Sequence, residues 1–485
     1  MGLVYSLLAK GLGCSVISGY TAHRLLSLLQ NYFLPPSVSL SQSVPRSVHV
    51  ALTGFASCLG LGYYLKVWLQ DYYIDWDYNS SSSDSSSSSC NRDLTGRVAV
   101  VTGGTVGGLG FAAAELLYRQ GATVVVTVRT KEKGEAAVEQ LLTKTKKHST
   151  VLMSSSSSDA VRASYVLCDF LSEPSARNCA SELRSRFGDG IDFLILNAGI
   201  SSGQESKTTK TNTTSSGNAD EADAETLKKA TIKRTNAARV WMANHVGPFV
   251  FANELMPSLI QKARRSSNKN KNNPSESPRV VWVSSGAHKN AAIYWDDPFH
   301  PPGGQTAVYA QSKLANVMHA REYQKRVRDR LRRHHESSEP ESEPVEGDAN
   351  AATTTATAPS AAADHPDVKC FALTPGAVWT NLLHAPRLLY PLLWFVLRTP
   401  TKGAQVIKMA CLDNDLQGGE YLSNCYVKET QGVDGCSNDQ EQWKRLWELT
   451  EEQVKAKEYE HEHWFFEGSA LSAAAAAANN NKKTD

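Results

Sequence analysis

A tyrosine and a lysine four residues apart are the first candidates for chemistry in this sequence. The segment YAQSK has Tyr309 and Lys313 at helical spacing, so both side chains lie on one face of a predicted helix. A phenol can exchange a proton, but a pKa of about 10 makes it a weak acid or base at neutral pH. A nearby ammonium favours the phenolate and lowers that pKa. Tyr-x-x-x-Lys also occurs on ordinary solvated helix faces, so the pair needs support from other residues.

A glycine-rich turn offers a site for a dinucleotide. The segment VAVVTGGTVGGLGFAAAELL predicts a strand, then a turn containing Gly103, Gly104, Gly108 and Gly110, and then a helix. Glycines allow a tight turn and a close approach of the backbone to a pyrophosphate, which the N–H groups of the helix N-terminus can bind. A purely structural glycine-rich connection is the alternative interpretation.

The residues after the second predicted strand distinguish NAD from NADP. An acidic residue at that position binds the ribose 2′-hydroxyl of NAD. The segment VTVRTKEKG instead has Arg129, followed by Lys131 and Lys133. A guanidinium suits a 2′-phosphate, so the sequence favours NADP(H), with an ordinary surface arginine as the alternative.

The composition argues against several classes of function. The 485 residues include 51 Lys+Arg and 49 Asp+Glu, and this balance gives no general attraction to nucleic acid. The nine cysteines contain no Cys-x-x-Cys pair, which indicates reduced thiols rather than a disulfide framework or a zinc site. His461 and His463 in YEHEHW have no third candidate ligand in the sequence, so we predict no metal site.

An apolar leader precedes the glycine-rich region. Residues 1–70 contain no Asp or Glu, and an apolar run from Val50 continues until Lys66 interrupts it. This length is at the short end of what spans a bilayer. Three interpretations remain open: a membrane anchor, an acid-poor transit segment for a plastid or mitochondrion, and a buried or interfacial helix pair. We favour membrane association, with the endoplasmic reticulum as the expected location.

Short apolar strands alternate with helices after the leader. We predict strands at RVAVVTGG, TVVVTVR, YVLCDF, IDFLILNAG, RVVWVSS and DVKCFALTPG, with helical segments between them. This alternation is typical of a parallel sheet covered on both faces. The predicted fold class is therefore α/β, with a single doubly wound parallel sheet of the Rossmann type.

Low-complexity segments interrupt this alternation. They contain too few apolar residues to offset the cost of ordering the chain, and surface loops tolerate such insertions at little thermodynamic cost. The predicted surface insertions are residues 154–160, 201–225, 264–277 and 334–364.

The same composition sets the domain boundaries. The serine-rich segment NSSSSDSSSSSC is typical of a flexible linker. The predicted organisation is an apolar leader at 1–78, a linker at 79–94, a Rossmann-type domain at 95–465 and a disordered tail at 466–485.

With these segments in order, the chain resembles the short-chain dehydrogenase/reductase superfamily over about residues 95–430. The motifs that carry the resemblance follow the family's order: TGGTVGGLG, LCDF, LNAG, ANHVGPF, VVWVSS, YAQSK and TPG. The resemblance implies that the tyrosine–lysine pair is catalytic rather than a surface pair.

The resemblance also implies roles for the other matched residues. The implied catalytic set is Asn244, Ser285, Tyr309 and Lys313. The implied cofactor-binding set, which includes the arginine discussed above, is Gly103, Gly104, Gly108, Leu109, Gly110, Arg129, Asp169, Asn197, Ala198, Gly199, Tyr309, Lys313, Pro375, Gly376 and Thr380.

The implied reaction is hydride transfer between NADP(H) and a carbonyl or alcohol carbon, in which the cofactor carries the hydride. Tyr309 would exchange a proton with the substrate oxygen, and Ser285 would donate a hydrogen bond to that oxygen. Lys313 would hold the nicotinamide ribose and lower the pKa of the tyrosine. Asn244 would hold a water that relays the proton through the lysine.

The glycine turn departs from the family pattern Thr-Gly-x-x-x-Gly-x-Gly by one additional residue. Four residues separate Gly103 from Gly108. Either Gly104 takes the position of the first glycine, or the turn contains a one-residue bulge.

Within the superfamily, the chain resembles retinol dehydrogenase-like enzymes in NHVGPF, VSSGAHKN, YAQSKLAN and GGEYLSNCYVKE. Light-dependent protochlorophyllide reductases share much of this pattern, but Ala315 stands where we expect their cysteine. The apolar segment VWTNLLHAPRLLYPLLWFVLRTP lies where the family places its substrate flap. The resemblance therefore implies a lipophilic aldehyde, ketone or alcohol as substrate.

Two further functions remain open. One is reduction of a pigment, quinone or sterol intermediate, and the other is a catalytically idle dinucleotide-binding scaffold. The expected partners are a lipophilic small molecule and no nucleic acid, and the family resemblance suggests a homo-oligomer.

Overall fold

The computed structural model describes eight stretches of the chain: residues 92–148, 162–188, 190–201, 236–269, 277–336, 367–380, 397–430 and 432–454. The predicted leader, the linker up to residue 91 and the predicted tail lie outside the described residues, as do residues 154–160, 202–225, 270–276 and 337–364 of the predicted insertions.

The chain divides into two compact units. The first comprises Met1–Trp76 and Ala385–Arg398, of which Leu397 and Arg398 are described. The second comprises Asp77–His384 and Thr399–Asp485 and contains all the helices and strands described below.

A single eight-stranded sheet forms the centre of the second unit. Its strand order is β3-β2-β1-β4-β5-β6-β7-β8. The first seven strands pair in parallel and the eighth pairs antiparallel with the seventh. The strands are β1 (Val98–Thr102), β2 (Thr123–Val128), β3 (Ala163–Leu167), β4 (Ile191–Leu196), β5 (Arg279–Val283), β6 (Lys369–Thr374), β7 (Tyr421–Ser423) and β8 (Tyr426–Lys428).

Helices connect these strands and cover the sheet. The α-helices are α1 (Leu109–Arg119), α2 (Lys131–His148), α3 (Glu173–Phe187), α4 (Gly247–Lys269), α5 (Gly304–Glu336), α6 (Pro400–Gly403), α7 (Gln405–Leu412) and α8 (Gln440–Gln453).

Three short helical turns complete the described elements. A π-helical turn, Met242–Val246, runs directly into α4. Two 3₁₀ helices, Gly286–Asn290 and Val433–Asn438, follow β5 and β8.

The burial pattern shows that both faces of the sheet are covered. Successive strand residues point to opposite faces, and every residue of β4, β5 and β6 is buried. Such strands read as continuous apolar runs because helices pack on both sides. The predicted α/β fold with one doubly wound sheet is thereby confirmed, with an antiparallel edge strand as an addition.

In the part of the chain that the structure describes, no helix is long and apolar enough to cross a bilayer. The apolar leader and residues 381–396, which contain most of the predicted substrate flap, are outside that part.

Candidate active site

A cavity of about 490 Å³ lies at the carboxyl ends of the parallel strands. The strand order reverses direction between β1 and β4, and open α/β sheets bind their ligands at such a point. Each of the first six strands contributes residues that follow its last position. They are Gly103 after β1, Arg129 after β2, Asp169 after β3, Asn197 after β4, Ser285 after β5 and Pro375 after β6.

The glycine turn follows β1 and absorbs its additional residue between two positive-φ glycines. Gly103 has φ +70° and Gly107 has φ +78°. Gly103 and Gly108 line the cavity. Gly104 instead packs against β2, where a Cβ atom would lie 2.5 Å from the Cβ atom of Val126. This geometry favours a longer loop over a shift of the first glycine to position 104.

Asn197 fixes the end of β1, where the glycine turn begins, to the end of β4. Its Nδ2 atom donates to the Thr102 carbonyl at 2.9 Å, and the N–H groups of Asn197 and Ala198 both donate to the Thr102 hydroxyl at 2.9 Å. A Cβ atom at Gly110 would lie 2.5 Å from the Asn197 amide nitrogen. Gly104 and Gly110, which we predicted to bind the cofactor, thus lie against neighbouring protein groups and are not part of the cavity wall.

The cavity wall after β2 carries two cations. Arg129 and Lys133 both line the cavity, and both are exposed. Lys131 points elsewhere and pairs with Glu135 at 3.6 Å, one helical turn away. Asp169 after β3 also lines the cavity and is half-buried.

The tyrosine–lysine pair lies in α5, with both side chains on the cavity wall. Lys313 is only 5% exposed, and its Nζ atom donates to the Val283 carbonyl at 3.0 Å. The same Nζ atom is 5.8 Å from the centre of the Tyr309 ring. Burial lowers the pKa of Lys313 to about 8, because the charged form loses its hydration.

Tyr309 does not show the lowered pKa that we predicted. Burial raises its pKa, and a hydrogen bond from the Ser285 side chain acts in the opposite direction. Desolvation of the phenolate is the larger effect, so the prediction of a net lowering of this pKa is wrong for the protein's own groups.

Two consecutive serines follow β5 at the cavity. Ser285 is the N-cap of the first 3₁₀ helix, and its Oγ atom accepts from the Ala287 N–H at 3.4 Å. The Ser284 hydroxyl donates to the Lys313 carbonyl at 2.6 Å. The end of β5 and the middle of α5 are therefore held together directly beside the cavity.

Asn244 lies behind the cavity wall rather than in it. Its side chain accepts from the Ile200 N–H at 2.7 Å and donates to the Ile200 carbonyl at 3.0 Å and the Ser312 hydroxyl at 3.2 Å. Asn244 belongs to the π-helical turn, and its side chain is fully buried. A Cβ atom at Gly199 would lie 3.0 Å from its Oδ1 atom and 3.5 Å from Nζ of Lys313. Asn244 and Lys313 therefore both approach Gly199 from the side on which a Cβ atom would lie.

The cavity contains most of the remaining predicted residues and several that the sequence did not indicate. Ala198, Gly199, Leu109, Gly376 and Thr380 line the cavity as predicted. Several unpredicted wall residues lie within or next to a recognised motif, and this proximity could have indicated them. They are Thr105, Phe170, Leu171, Ile200, Ala243 and Val378.

Comparison with known proteins identifies the family. The profile of the short chain dehydrogenase family matches residues 97–295. Dehydrogenase/reductase SDR family member 13 from Bos taurus is 30% identical over 368 residues, which cover 74% of this chain and 73% of that protein. The chain therefore belongs to the short-chain dehydrogenase/reductase family.

Two further relatives carry more specific names. Retinol dehydrogenase 14 from Mus musculus is 26% identical, covering 74% of this chain and 86% of that protein. Polyprenol dehydrogenase from Homo sapiens is 26% identical, covering 73% and 85%. The protein is an oxidoreductase of CH–OH or carbonyl groups with retinol dehydrogenase-like relatives, in a family that binds a nicotinamide dinucleotide.

Proposed function

We propose that this protein is an NADP(H)-dependent oxidoreductase that acts on a lipophilic aldehyde, ketone or alcohol. One observation carries the proposal: Ser285, Tyr309 and Lys313 open into the same cavity as the glycine turn and Arg129. An acid–base tyrosine, a hydrogen-bond donor and a dinucleotide cradle are thus within reach of one bound substrate.

The cavity fits a dinucleotide by shape and by chemistry. Gly103 and Gly108 line it without side chains, and α1 begins at its wall with Leu109. The positive end of a helix dipole suits a bound pyrophosphate. Arg129 and Lys133 would bind the 2′-phosphate that distinguishes NADP from NAD. Lys313 would hold the nicotinamide ribose. The bound cofactor would supply or accept the hydride.

The protonation state of Tyr309 supports reduction of a carbonyl. Burial raises its pKa, so the phenol is protonated at neutral pH and can give its proton to a carbonyl oxygen. Ser285 would donate a hydrogen bond to that oxygen and stabilise the charge that develops on it. The positive charge of Lys313 would stabilise the phenolate left behind.

A lipophilic substrate fits the wall composition. Phe170, Leu171, Ile200, Ala243 and Val378 contribute apolar surface around the polar groups, as expected of a small-molecule site. The names retinol dehydrogenase and polyprenol dehydrogenase, carried by two relatives, also indicate lipophilic alcohols for those proteins.

Membrane association through the leader belongs to the same proposal. A lipophilic substrate is concentrated in membranes, and the acid-poor apolar leader suits a membrane or its interface. Fractionation of cells expressing the full chain would test it: the protein should stay in the membrane pellet after alkaline carbonate washing. Recovery in the wash would contradict an integral anchor, and recovery in the first supernatant would contradict any association.

Catalysis is tested by following loss of NADPH absorbance with retinal, long-chain aldehydes and steroid ketones. Tyr309→Phe should lower turnover by about 100-fold or more, since it removes the general acid. Tyr426→Phe is the matched control because Tyr426 lies on β8, is 44% exposed and is outside the cavity wall. Equal losses in both variants would contradict the assigned role of Tyr309. NADPH binding without turnover of any compound would favour a scaffold.

Cofactor preference is tested by titration with NADPH and NADH. Arg129→Ala should weaken NADPH binding by about tenfold, the effect of one charge-assisted hydrogen bond, and leave NADH binding unchanged. Lys131→Ala is the control, since this neighbouring lysine is exposed and does not line the cavity. Tighter binding of NADH than NADPH by the unmodified protein would overturn the NADP assignment.

A further inference from the structure

A buried histidine lies directly behind the serine of the candidate site. His288 is fully buried and is not part of the cavity wall. Its Nδ1 atom lies 2.6 Å from the Ser285 carbonyl oxygen, which also accepts the His288 backbone N–H at 3.1 Å. A carbonyl oxygen can only accept, so Nδ1 carries the ring proton.

The other ring nitrogen of His288 faces a distant part of the chain. With the proton on Nδ1, Nε2 is the acceptor, and it accepts from the hydroxyl of Thr430. Thr430 is 142 residues further along the chain and 4% exposed. The histidine therefore joins the end of β5 to the segment that follows β8.

Thr430 is itself held in place by the C-terminal elements. Its carbonyl accepts from the Ser437 hydroxyl at 2.7 Å. The Ser437 carbonyl accepts from the Trp443 indole N–H at 2.9 Å and from the Arg321 guanidinium. The second 3₁₀ helix, α8 and α5 thus fix the hydroxyl that His288 accepts from.

We propose that Thr430 and His288 form a positioning relay that orients Ser285 in the cavity, an inference that rests on the proposed function. The Ser285 carbonyl requires the Nδ1–H tautomer, and the Thr430 hydroxyl donates to the Nε2 atom that this tautomer leaves as an acceptor. That tautomer donates to the Ser285 carbonyl and fixes the peptide plane from which the serine side chain projects. His288 and Thr430 touch neither substrate nor cofactor and act through Ser285.

The competing explanation is packing alone. The His288 ring lies 4.9 Å from the ring centre of Tyr421, so its loss could loosen β7 without any specific effect on the serine. The two explanations predict different results in one experiment. If the relay acts through Ser285, substituting Thr430 has no effect on catalysis once the serine hydroxyl has been removed.

A double-mutant cycle separates them. Thr430→Val is measured in the full chain with Ser285 present and in the Ser285→Ala background, using the best carbonyl substrate and NADPH. Thr430→Ser is the conservative variant, because it keeps the hydroxyl that Thr430→Val removes. Thr450→Val is the matched control, because Thr450 is also a buried threonine whose Oγ1 atom meets a buried histidine, at 3.0 Å from Nε2 of His245.

We expect Ser285→Ala to lower kcat by about 100-fold, as loss of one preorganised donor does. Thr430→Val should lower kcat by about fivefold to tenfold with Ser285 present and by less than about twofold without it. The NADPH dissociation constant of Thr430→Val should stay within about twofold of that of the unmodified protein. Thr430→Ser and Thr450→Val should both leave kcat unchanged.

The outcomes separate failure of the relay from failure of the proposed function. An equal loss of kcat from Thr430→Val in both backgrounds would overturn the relay in favour of packing. So would a loss of kcat in Thr450→Val as large as that in Thr430→Val. No loss in Ser285→Ala or Tyr309→Phe would overturn the proposed function itself. Nitrogen NMR of ring-labelled histidine gives a readout independent of turnover, with His288→Asn as the assignment standard. An Nε2–H tautomer at His288 would refute the relay.

Discussion

Replacing Lys313 with methionine should stabilise the fold while abolishing turnover. Lys313 is 5% exposed, and burial lowers its pKa from 10.5 to about 8. The folded protein therefore bears a cost for keeping this ammonium charged. Methionine is unbranched, flexible and uncharged, so it can fill the same volume without that cost.

The size of the effect follows from the two pKa values. A pKa of 10.5 in the unfolded chain and about 8 in the folded protein corresponds to roughly 3 kcal/mol at pH 7. Loss of the hydrogen bond to the Val283 carbonyl offsets about 1 kcal/mol of this gain. We expect Lys313→Met to be more stable by about 2 kcal/mol at pH 7.

The sign of the pH dependence follows from the folded pKa lying below the unfolded one. Between the two values the unfolded chain binds more protons, so the stability of the unmodified protein rises with pH. The cost of the charged lysine is complete below about pH 8 and disappears above pH 10.5. At pH 9.5 about 2 kcal/mol of it has gone, so variant and unmodified protein should be equally stable there.

Urea unfolding of both proteins at pH 7 and pH 9.5 checks this prediction. Lys325→Met is the control, because that side chain is 46% exposed and should change stability by no more than about 0.5 kcal/mol at either pH. An advantage of Lys313→Met that is equal at both pH values would show that packing, not charge, causes it. Destabilisation at pH 7 would refute the reasoning.

Two further predictions concern positions outside the acid–base set. Asp192 is 1% exposed and contacts Arg97 at 2.6 Å and Lys262 at 2.7 Å at the amino end of β4. Asp192→Asn should therefore cost about 3 kcal/mol in urea unfolding, with NADPH affinity of the folded protein unchanged. Gly104→Ala places a Cβ atom 2.5 Å from that of Val126 and should cost about 1–3 kcal/mol. A thermal midpoint equal to that of the unmodified protein would contradict this close packing.

The sequence predicted the six longer strands because each is an apolar run bounded by turn residues, although β3 is only partly buried. It did not predict β7 and β8, which have three residues each and are too short to show any periodicity. The turn between them, at Asn424 and Cys425, has φ values of 55° and 57°. These left-handed residues form a tight hairpin without the glycine that usually signals one.

The candidate site was predictable wherever a short motif carries its residues. Tyr309, Lys313 and Ser285 all face the cavity, as their motifs indicate. The sequence could not distinguish Gly103 from Gly104, because the extra turn residue is accommodated by three-dimensional packing against Val126. Nor could it predict the raised pKa of Tyr309, which depends on burial that spacing does not reveal. The catalytic roles of Tyr309, Lys313 and Ser285 remain predictions.

The end of β5 explains why structure and chemistry coincide at this site. At the carboxyl end of a parallel strand, carbonyl groups are left without partners in the neighbouring strands, and buried carbonyls need hydrogen-bond donors. Here Lys313 donates to the Val283 carbonyl and His288 donates to the Ser285 carbonyl. The groups that complete the backbone hydrogen bonding are therefore also the proposed ribose ligand and the proposed positioning residue. Substitutions at either position should therefore change catalysis and stability together.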